Sequence, residues 1–299
     1  MLVKQKVKLG CAPINWSNDD LPAIGERLTF EQCLSEMALA GFEGSEIGHK
    51  YPKNVDELSR AVQLRNLEIC NGWFSCYFTS KPIEETINAF SEHIDTLEQL
   101  GAEVVGVGEV GSTIHNDITQ PLFLNRPQLT DEQFDYLCEG LNQLGQMAKE
   151  RGMALAFHYH IGTGIETMEE IDRVMEGTDS NLVHLLYDTG HATIAGVDPV
   201  QLLYKYGDRI RHVHVKDVRK TALDTVKEED LSFIEGVKLG LFTVPGDGDM
   251  VDMQQVLTKL NVSDYSGWIV VEAEQDPEKA DPLEYAIKAR QYIQTHLGV

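Results

Sequence analysis

The chain has 299 residues, 42% of them apolar, and sets 25 Lys+Arg against 48 Asp+Glu for a formal net charge of −23. That apolar content excludes wholesale disorder, and so acidic a surface argues against nucleic-acid and membrane partners. At ~150 residues per domain the length suggests two domains, but α/β barrels run to ~250 residues as one.

The opening MLVKQKVK carries charge without a following apolar segment, so no signal peptide is expected. No apolar run approaches the ~18 residues of a membrane span. The five cysteines (11, 33, 70, 76 and 138) are odd in number and form no CxxC, which fits a reduced, cytoplasmic protein without structural disulfides. Asn15-Trp16-Ser17 and Asn261-Val262-Ser263 match the glycosylation pattern, which means nothing without secretion.

In chain order, short apolar runs alternate with amphipathic segments. Val7 to Ala12 is the first run, followed by a helix from Thr29, where Thr29-Phe30-Glu31-Gln32 reads as a capping box and Gly41 as the stop. Gly44 to Ile47 is the second, with a helix opening at Asn54-Val55-Asp56-Glu57. Glu68 to Gly72 is the third, with a helix over about Ile83 to Leu100 ended by Gly101. Val104 to Val107 is the fourth; after an irregular stretch from Gly108 to Leu129, Thr130-Asp131-Glu132-Gln133 caps a long helix that Gly152 stops. Met153 to Phe157 is the fifth, with a helix from Thr167, and Leu182 to Tyr187 the sixth, with a helix opening at Asp198-Pro199. Ile210 to Val215 and Ile269 to Val271 are the seventh and eighth, and the last helix runs to about Leu297.

Runs that are apolar throughout, rather than alternating, indicate parallel strands covered on both faces. Eight of them with helices between predict an α/β fold, a (β/α)8 TIM barrel, as a single domain over 1–299. The charged stretch from Val218 to Asp249 reads as a long loop, a lid or interface element over the barrel mouth. Gly106-Val107-Gly108-Glu109-Val110-Gly111 fits G-x-G-x-x-G, but no helix follows to hold a pyrophosphate and the match falls in the fourth unit, so a nucleotide site is not expected.

A barrel keeps its chemistry at the carboxyl ends of the strands. There this chain places Trp16, Glu46, Trp73 and Glu109, then His158-Tyr159-His160 with Glu166, Asp188-Thr189-Gly190-His191, His212-Val213-His214-Val215-Lys216-Asp217, and Glu272-Ala273-Glu274. Alternation puts His212, His214 and Lys216 on one face of their strand, and Glu272 with Glu274 on one face of theirs. Taken singly, each is an ordinary strand-end residue. Together, Asp188, His214 and Glu272 at three consecutive strand ends would repel or neutralise one another unless a cation sat among them. Mixed carboxylate and imidazole ligands suit Mn²⁺, Co²⁺, Mg²⁺ or Zn²⁺. His49, His93, His115, His184 and His296 read as structural or surface residues, and His212 as a hydrogen-bonded core histidine. Trp16 and Trp73 read equally as core residues or as sugar platforms in substrate binding.

With these motifs in place the chain resembles the inosose dehydratases, in the xylose-isomerase-like barrel superfamily, over essentially its whole length. The resemblance is carried by Gly10-Cys11-Ala12-Pro13-Ile14-Asn15-Trp16, the run from Phe157 to Thr167, Asp188-Thr189-Gly190-His191, His212 to Asp217, Pro245-Gly246-Asp247-Gly248 and Val271-Glu272. It implies a metal held by a Glu, an Asp, a His and a Glu, the last three matched by Asp188, His214 and Glu272. The first falls near Ala156, which is no ligand; Glu166, folding back after the glycine turn, is the favoured replacement, with His158 and His160 as alternatives. The resemblance further implies dehydration of 2-keto-myo-inositol (scyllo-inosose) to a trihydroxycyclohexane-1,2-dione in inositol catabolism, with Mn²⁺ or Co²⁺ and a glutathione requirement.

Such a reaction needs α-proton loss to a metal-stabilised enolate and an acid for the departing hydroxyl. The candidates are Lys216, His191, His158, His160 and Glu46, the last also a substrate-binding residue; Lys216 beside a metal is expected to have a lowered pKa, suiting a base. A ketose epimerase or isomerase on the same metal is the alternative, since it shares the enediolate. A metal-dependent endonuclease would need a basic groove and early-strand histidines that the chain lacks, and a non-enzymatic polyol-binding protein would need no acid-base groups. The expected partners are a small polyol or keto-inositol and a possible second copy of the chain, with no nucleic acid and no membrane.

Overall fold

The computed structural model describes residues 7–263 and 265–297; the first six residues of the charged opening considered above lie outside them. Strands β1 (Val7–Cys11), β2 (Gly44–Ile47), β3 (Glu68–Cys76), β4 (Val104–Glu109), β5 (Ala154–His158), β6 (Val183–Asp188) and β7 (Ile210–Val215) follow in chain order. After the short strands β8 (Asp217–Val218) and β9 (Phe242–Thr243) comes β10 (Gly267–Val271). Eight of these close a parallel barrel in the order β1-β10-β7-β6-β5-β4-β3-β2, the TIM barrel that the apolar runs predict. Every residue of β4 is buried, as expected of a strand covered on both faces.

The helices are α1 (Phe30–Ala40), α2 (Val55–Gln63), α3 (Ile83–Leu100), α4 (Asp131–Glu150), α5 (Met168–Gly177), α6 (Thr189–Ile194), α7 (Pro199–Tyr206), α8 (Lys220–Glu228), α9 (Phe233–Leu239), α10 (Met253–Val262) and α11 (Pro282–Leu297). Thr130 and Gln133 complete the expected capping box on α4. On α1 only half of it forms: Thr29 accepts from Gln32 N, while the Gln32 side chain turns to Glu36. Among the described residues no helix is long and apolar enough to cross a membrane.

Two departures from the predicted elements shape the barrel mouth. First, β3 runs four residues past Gly72, pairing Trp73 with Gly106 and Cys76 with Glu109, and so carries Trp73 up the wall. The glycines of the G-x-G pattern make this possible. A Cβ on Gly106 would lie 2.9 Å from the Asn71 amide nitrogen, and one on Gly108 2.2 Å from the Trp73 ring. Both positions need glycine for close packing.

Second, the stretch from Val218 to Asp249 is not a loop. It holds α8 and α9 between the strands of an antiparallel ribbon, β8 and β9. Phe233, Phe242, Leu223, Val226, Ile234 and Val237 form a buried apolar cluster there with Ile24, Leu122, Ile161 and Ile194 from the other mouth segments. Each such side chain contributes roughly 1.5–3 kcal/mol on burial, which holds the two helices against the barrel mouth. The charge that suggested a loop belongs to the outward faces of two amphipathic helices.

Candidate active site

The carboxyl ends of the strands surround a cavity of about 210 Å³ lined by Glu46, Asn71, Trp73, Glu109, His158, His160, His214, Glu272 and Glu274 with residues of the mouth loops. Adjacent β6 and β7 pair Asp188 with His214, and β7 and β10 bring Glu272 alongside. Asp188 also caps α6: its Oδ1 accepts from the backbone N–H groups of Gly190 and His191, both at 2.8 Å. That anchor leaves Oδ2 directed inward. Asp188 Oδ2 lies 3.6 Å from His158 Nε2 and 3.6 Å from His214 Nδ1, and His214 Nδ1 lies 3.5 Å from Glu272 Oε2. These gaps are too long for hydrogen bonds, and Asp188 Oδ2 and His214 Nδ1 have no hydrogen-bond partner among the described residues although both are buried. Two ligand atoms each ~2.1 Å from one ion stand about 3–3.5 Å apart. The spacing and the unpartnered atoms therefore fit a cation: His158, Asp188 and His214 form one group that could hold a metal ion, and Asp188, His191 and Glu272 another that shares Asp188.

The charge balance points the same way. Burial raises the Asp188 carboxyl, but Lys216 and the neighbouring imidazoles outweigh it and hold it well below the ordinary range. Glu272 and Glu46 are likewise lowered against burial, by Lys216 and His214 in the first case and by His214 and His212 in the second. Burial pushes Glu274 up to about 8 despite Lys216. Against three ionised carboxylates stand Lys216 and His214; burial alone would lower His214, but Glu46, Asp188 and Glu272 hold it protonated well above its usual range. A metal ion at Nδ1 would replace that proton.

Lys216 departs from expectation. Its ammonium is fully buried, 2.5 Å from Glu272 Oε2, 3.0 Å from Glu274 Oε1 and 2.9 Å from His191 Nε2, and it lies 4.4 Å from the centre of the Phe242 ring. Burial would lower its pKa, yet Asp188, Glu272 and Glu274 outweigh burial and raise it above the ordinary lysine value. These carboxylates hold Lys216 as a cation, and it does not line the cavity. Gly190 gives its stem room, for a Cβ there would stand 2.6 Å from Lys216 Cδ.

His191 stands behind the cavity wall with Lys216, and its ring stacks on His160, centroids 3.8 Å apart. His160 faces the cavity; burial holds its imidazole well below the ordinary range, hence neutral. Its Nδ1 donates to the Ile161 carbonyl at 2.7 Å, which leaves Nε2 as an acceptor. Phe233 and Phe242 close over these rings.

Glu166, the favoured first ligand, is engaged elsewhere. Its Oε1 pairs with Arg126 Nε at 3.0 Å and its Oε2 accepts from Gly162 N–H at 2.7 Å. The glycine turn does fold back, but onto its own backbone, and the structure does not bring Glu166 into a group with Asp188, His214 and Glu272. Of the two alternatives for Trp16 the structure shows the core one and not the substrate platform: it is buried with its indole N–H on Glu36, and it does not border the cavity. Trp73 does, edge-on to His158. Glu46, read as a substrate contact, turns Oε1 to His212, His214 and Asn71.

The cavity residues that the sequence reading gives no functional role include Asn71, Glu274 and His115. Asn71 sits at the third strand end, where an amide carries no signal of its own. Glu274 shares the face of Glu272, which is the signal available for it. His115, read as structural or surface, comes from the irregular stretch to bring its ring, tilted by 50°, to 4.7 Å from that of His160, with Asp20 Oδ1 3.6 Å from its Nε2. Nothing in local periodicity locates a loop histidine.

Known proteins are similar to this chain over its length. The model of the xylose isomerase-like TIM barrel family matches residues 34–296. The inosose dehydratase of Geobacillus thermodenitrificans (strain NG80-2) is 53% identical over 299 residues, covering 100% of both chains. The inosose dehydratase of Bacillus cereus (strain AH820) is 52% identical over the same span, again covering 100% of both. Among solved structures, the IOLI protein with a binding zinc atom aligns with a TM-score of 0.71 at 18% identity, over 97% of this chain and 98% of that one. The chain belongs to the inosose dehydratases, within the xylose-isomerase-like TIM-barrel family.

Proposed function

We propose that the cavity removes water from 2-keto-myo-inositol, giving a trihydroxycyclohexane-1,2-dione, with His158, Asp188, His214 and Glu272 holding Mn²⁺ or Co²⁺. The observation that carries this reading is the set of buried, unpartnered atoms converging at the end of a cavity lined by titratable groups, in a chain of this family. A divalent ion there supplies Lewis acidity toward the ketone and its neighbouring hydroxyl, which acidifies the α-proton.

The chain's own groups supply the rest. Trp73 offers an apolar face at the cavity edge, suited to the carbon face of a cyclitol. His160, neutral with a free Nε2, is placed to take the α-proton. Glu274 borders the cavity, and its pKa of about 8 keeps it protonated near neutrality, so it is placed to give a proton to the departing hydroxyl. Lys216 holds Glu272 and Glu274 in position and orients His191, which supports the His160 ring from behind. Phe233 and Phe242 exclude water from that side.

The test is incubation of the metal-loaded protein with 2-keto-myo-inositol, following product absorbance and identifying the dione. Release of an epimeric ketose with no dione would overturn the reading. Omitting thiol from the same assay decides the glutathione requirement, which only the family resemblance suggests.

A further inference from the structure

Beneath the cavity the polar contacts run in one direction. The Gly106 N–H can only donate, and it lies 2.6 Å from Asn71 Oδ1. The Asn71 amide is thereby oriented, and its Nδ2 donates to Glu46 Oε1 at 2.8 Å. The same oxygen lies 2.8 Å from His212 Nε2 and 2.9 Å from His214 Nε2. Oε1 already accepts from the Asn71 amide, so it faces both imidazoles as an acceptor and each carries hydrogen on Nε2. The other nitrogen of His214, Nδ1, is the one that faces Asp188 and Glu272.

We infer that Glu46 is a positioning residue: oriented through Asn71 by the Gly106 amide, it selects the His214 tautomer and turns Nδ1 toward the metal-binding groups. This rests on the reading of Asp188, His214 and Glu272 as metal ligands. A neutral imidazole has two tautomers, and the wrong one presents an N–H to the cation. A carboxylate behind the ring removes that tautomer and makes the facing nitrogen more basic; losing such a partner typically costs ~10–100-fold in metal affinity.

The surroundings favour this role over substrate contact. The β2–β3 register shifts at Glu46: Ser45 pairs with Ile69 and Glu46 with Asn71, so β3 carries the extra residue, Cys70, and the shift sets Glu46 beside Asn71. His212, whose ring stands edge-on 5.3 Å from His214, supplies a further donor to Oε1. Gly106 admits no Cβ, because one would lie 2.9 Å from Asn71 Nδ2 and displace the amide that sets the chain of donors.

The experiment is zinc titration by calorimetry on the full chain, as wild type, Glu46→Ala, Glu46→Gln and Glu272→Gln, with ¹⁵N–¹H correlation spectra of zinc-loaded wild type. We expect the His214 hydrogen on Nε2 in the spectra. Glu46→Ala should bind zinc ~10–100-fold more weakly. Glu46→Gln, whose amide oxygen still accepts, should recover most of that affinity. A hydrogen on Nδ1 of His214 would overturn the inference, and this spectrum decides even where a variant does not fold. So would wild-type affinity in Glu46→Ala, or equal losses in the Ala and Gln variants, while Glu272→Gln loses zinc. If Glu272→Gln also binds like wild type, the metal-site reading itself falls.

Discussion

The early and late halves of the barrel face one cavity with opposite habits. On β2 to β4 the polar side chains are satisfied: Asn71 uses both ends of its amide, Glu46 Oε1 takes several donors, and Glu109 accepts from Phe78 N–H, Gly111 N–H and the Thr79 hydroxyl. On β6 and β7, Asp188 Oδ2 and His214 Nδ1 face each other across 3.6 Å and are buried without hydrogen-bond partners among the described residues. Burying a polar group without a hydrogen bond costs about 1–3 kcal/mol in proteins, so such a facing pair marks where a ligand belongs. The early half holds its groups still, and the late half leaves them free to bind.

Four experiments put that contrast at risk. The largest effect is expected from chelation, which should abolish turnover, with Mn²⁺ or Co²⁺ restoring it; full activity in a sample shown to be metal-free by elemental analysis would remove the distinction. Asp188→Asn should lose tightly bound metal and lower kcat by about 10³-fold, the scale on which groups stabilising developing charge act. Retention of stoichiometric metal after gel filtration would count against it. His160→Asn should lower kcat by ~10²–10⁴-fold while metal affinity stays within about twofold; a parallel loss of metal would make His160 a ligand instead.

The smallest effect tests Glu166. Because its carboxylate is used by Arg126 and Gly162, Glu166→Gln should bind metal and turn over like wild type. Its stability should respond to pH. Burial pushes the Glu166 carboxyl up to about 7 from an ordinary 4.5, although Gly162 and Arg126 pull it down. The folded state therefore binds this proton more tightly than the unfolded state, and the associated stability is lost as pH rises from the ordinary value through about 7. Thermal melts from pH 5 to 8 should fall less steeply for Glu166→Gln; identical slopes would show the group already ionised in the fold.

The legible part of the site is what strand alternation places. His212, His214 and Lys216 do share a face, and Asp188, His214 and Glu272 do meet. What each then does was not legible. Lys216 and His214 are alternate residues at one strand end, yet one is locked behind the wall by Glu272 and Glu274 and the other borders the cavity. The direction of the Lys216 shift depends on which carboxylates reach it, and Glu272 and Glu274 arrive from a segment distant in the chain.

Local information was enough for the barrel and the ends of its strands, because apolar runs, caps and stop glycines act within a few residues and repeat. It was enough, too, for which strand ends carry carboxylates and imidazoles. Three-dimensional closure settled the rest: that Glu166 pairs with Arg126, that Trp16 lies in the core, that Val218 to Asp249 folds into helices against the mouth, and that Glu46 from the second strand reaches the histidines of the seventh. A hydrogen bond or ion pair between distant segments is chosen by competition among every group that closure of the barrel brings within reach, and local spacing holds no record of that competition.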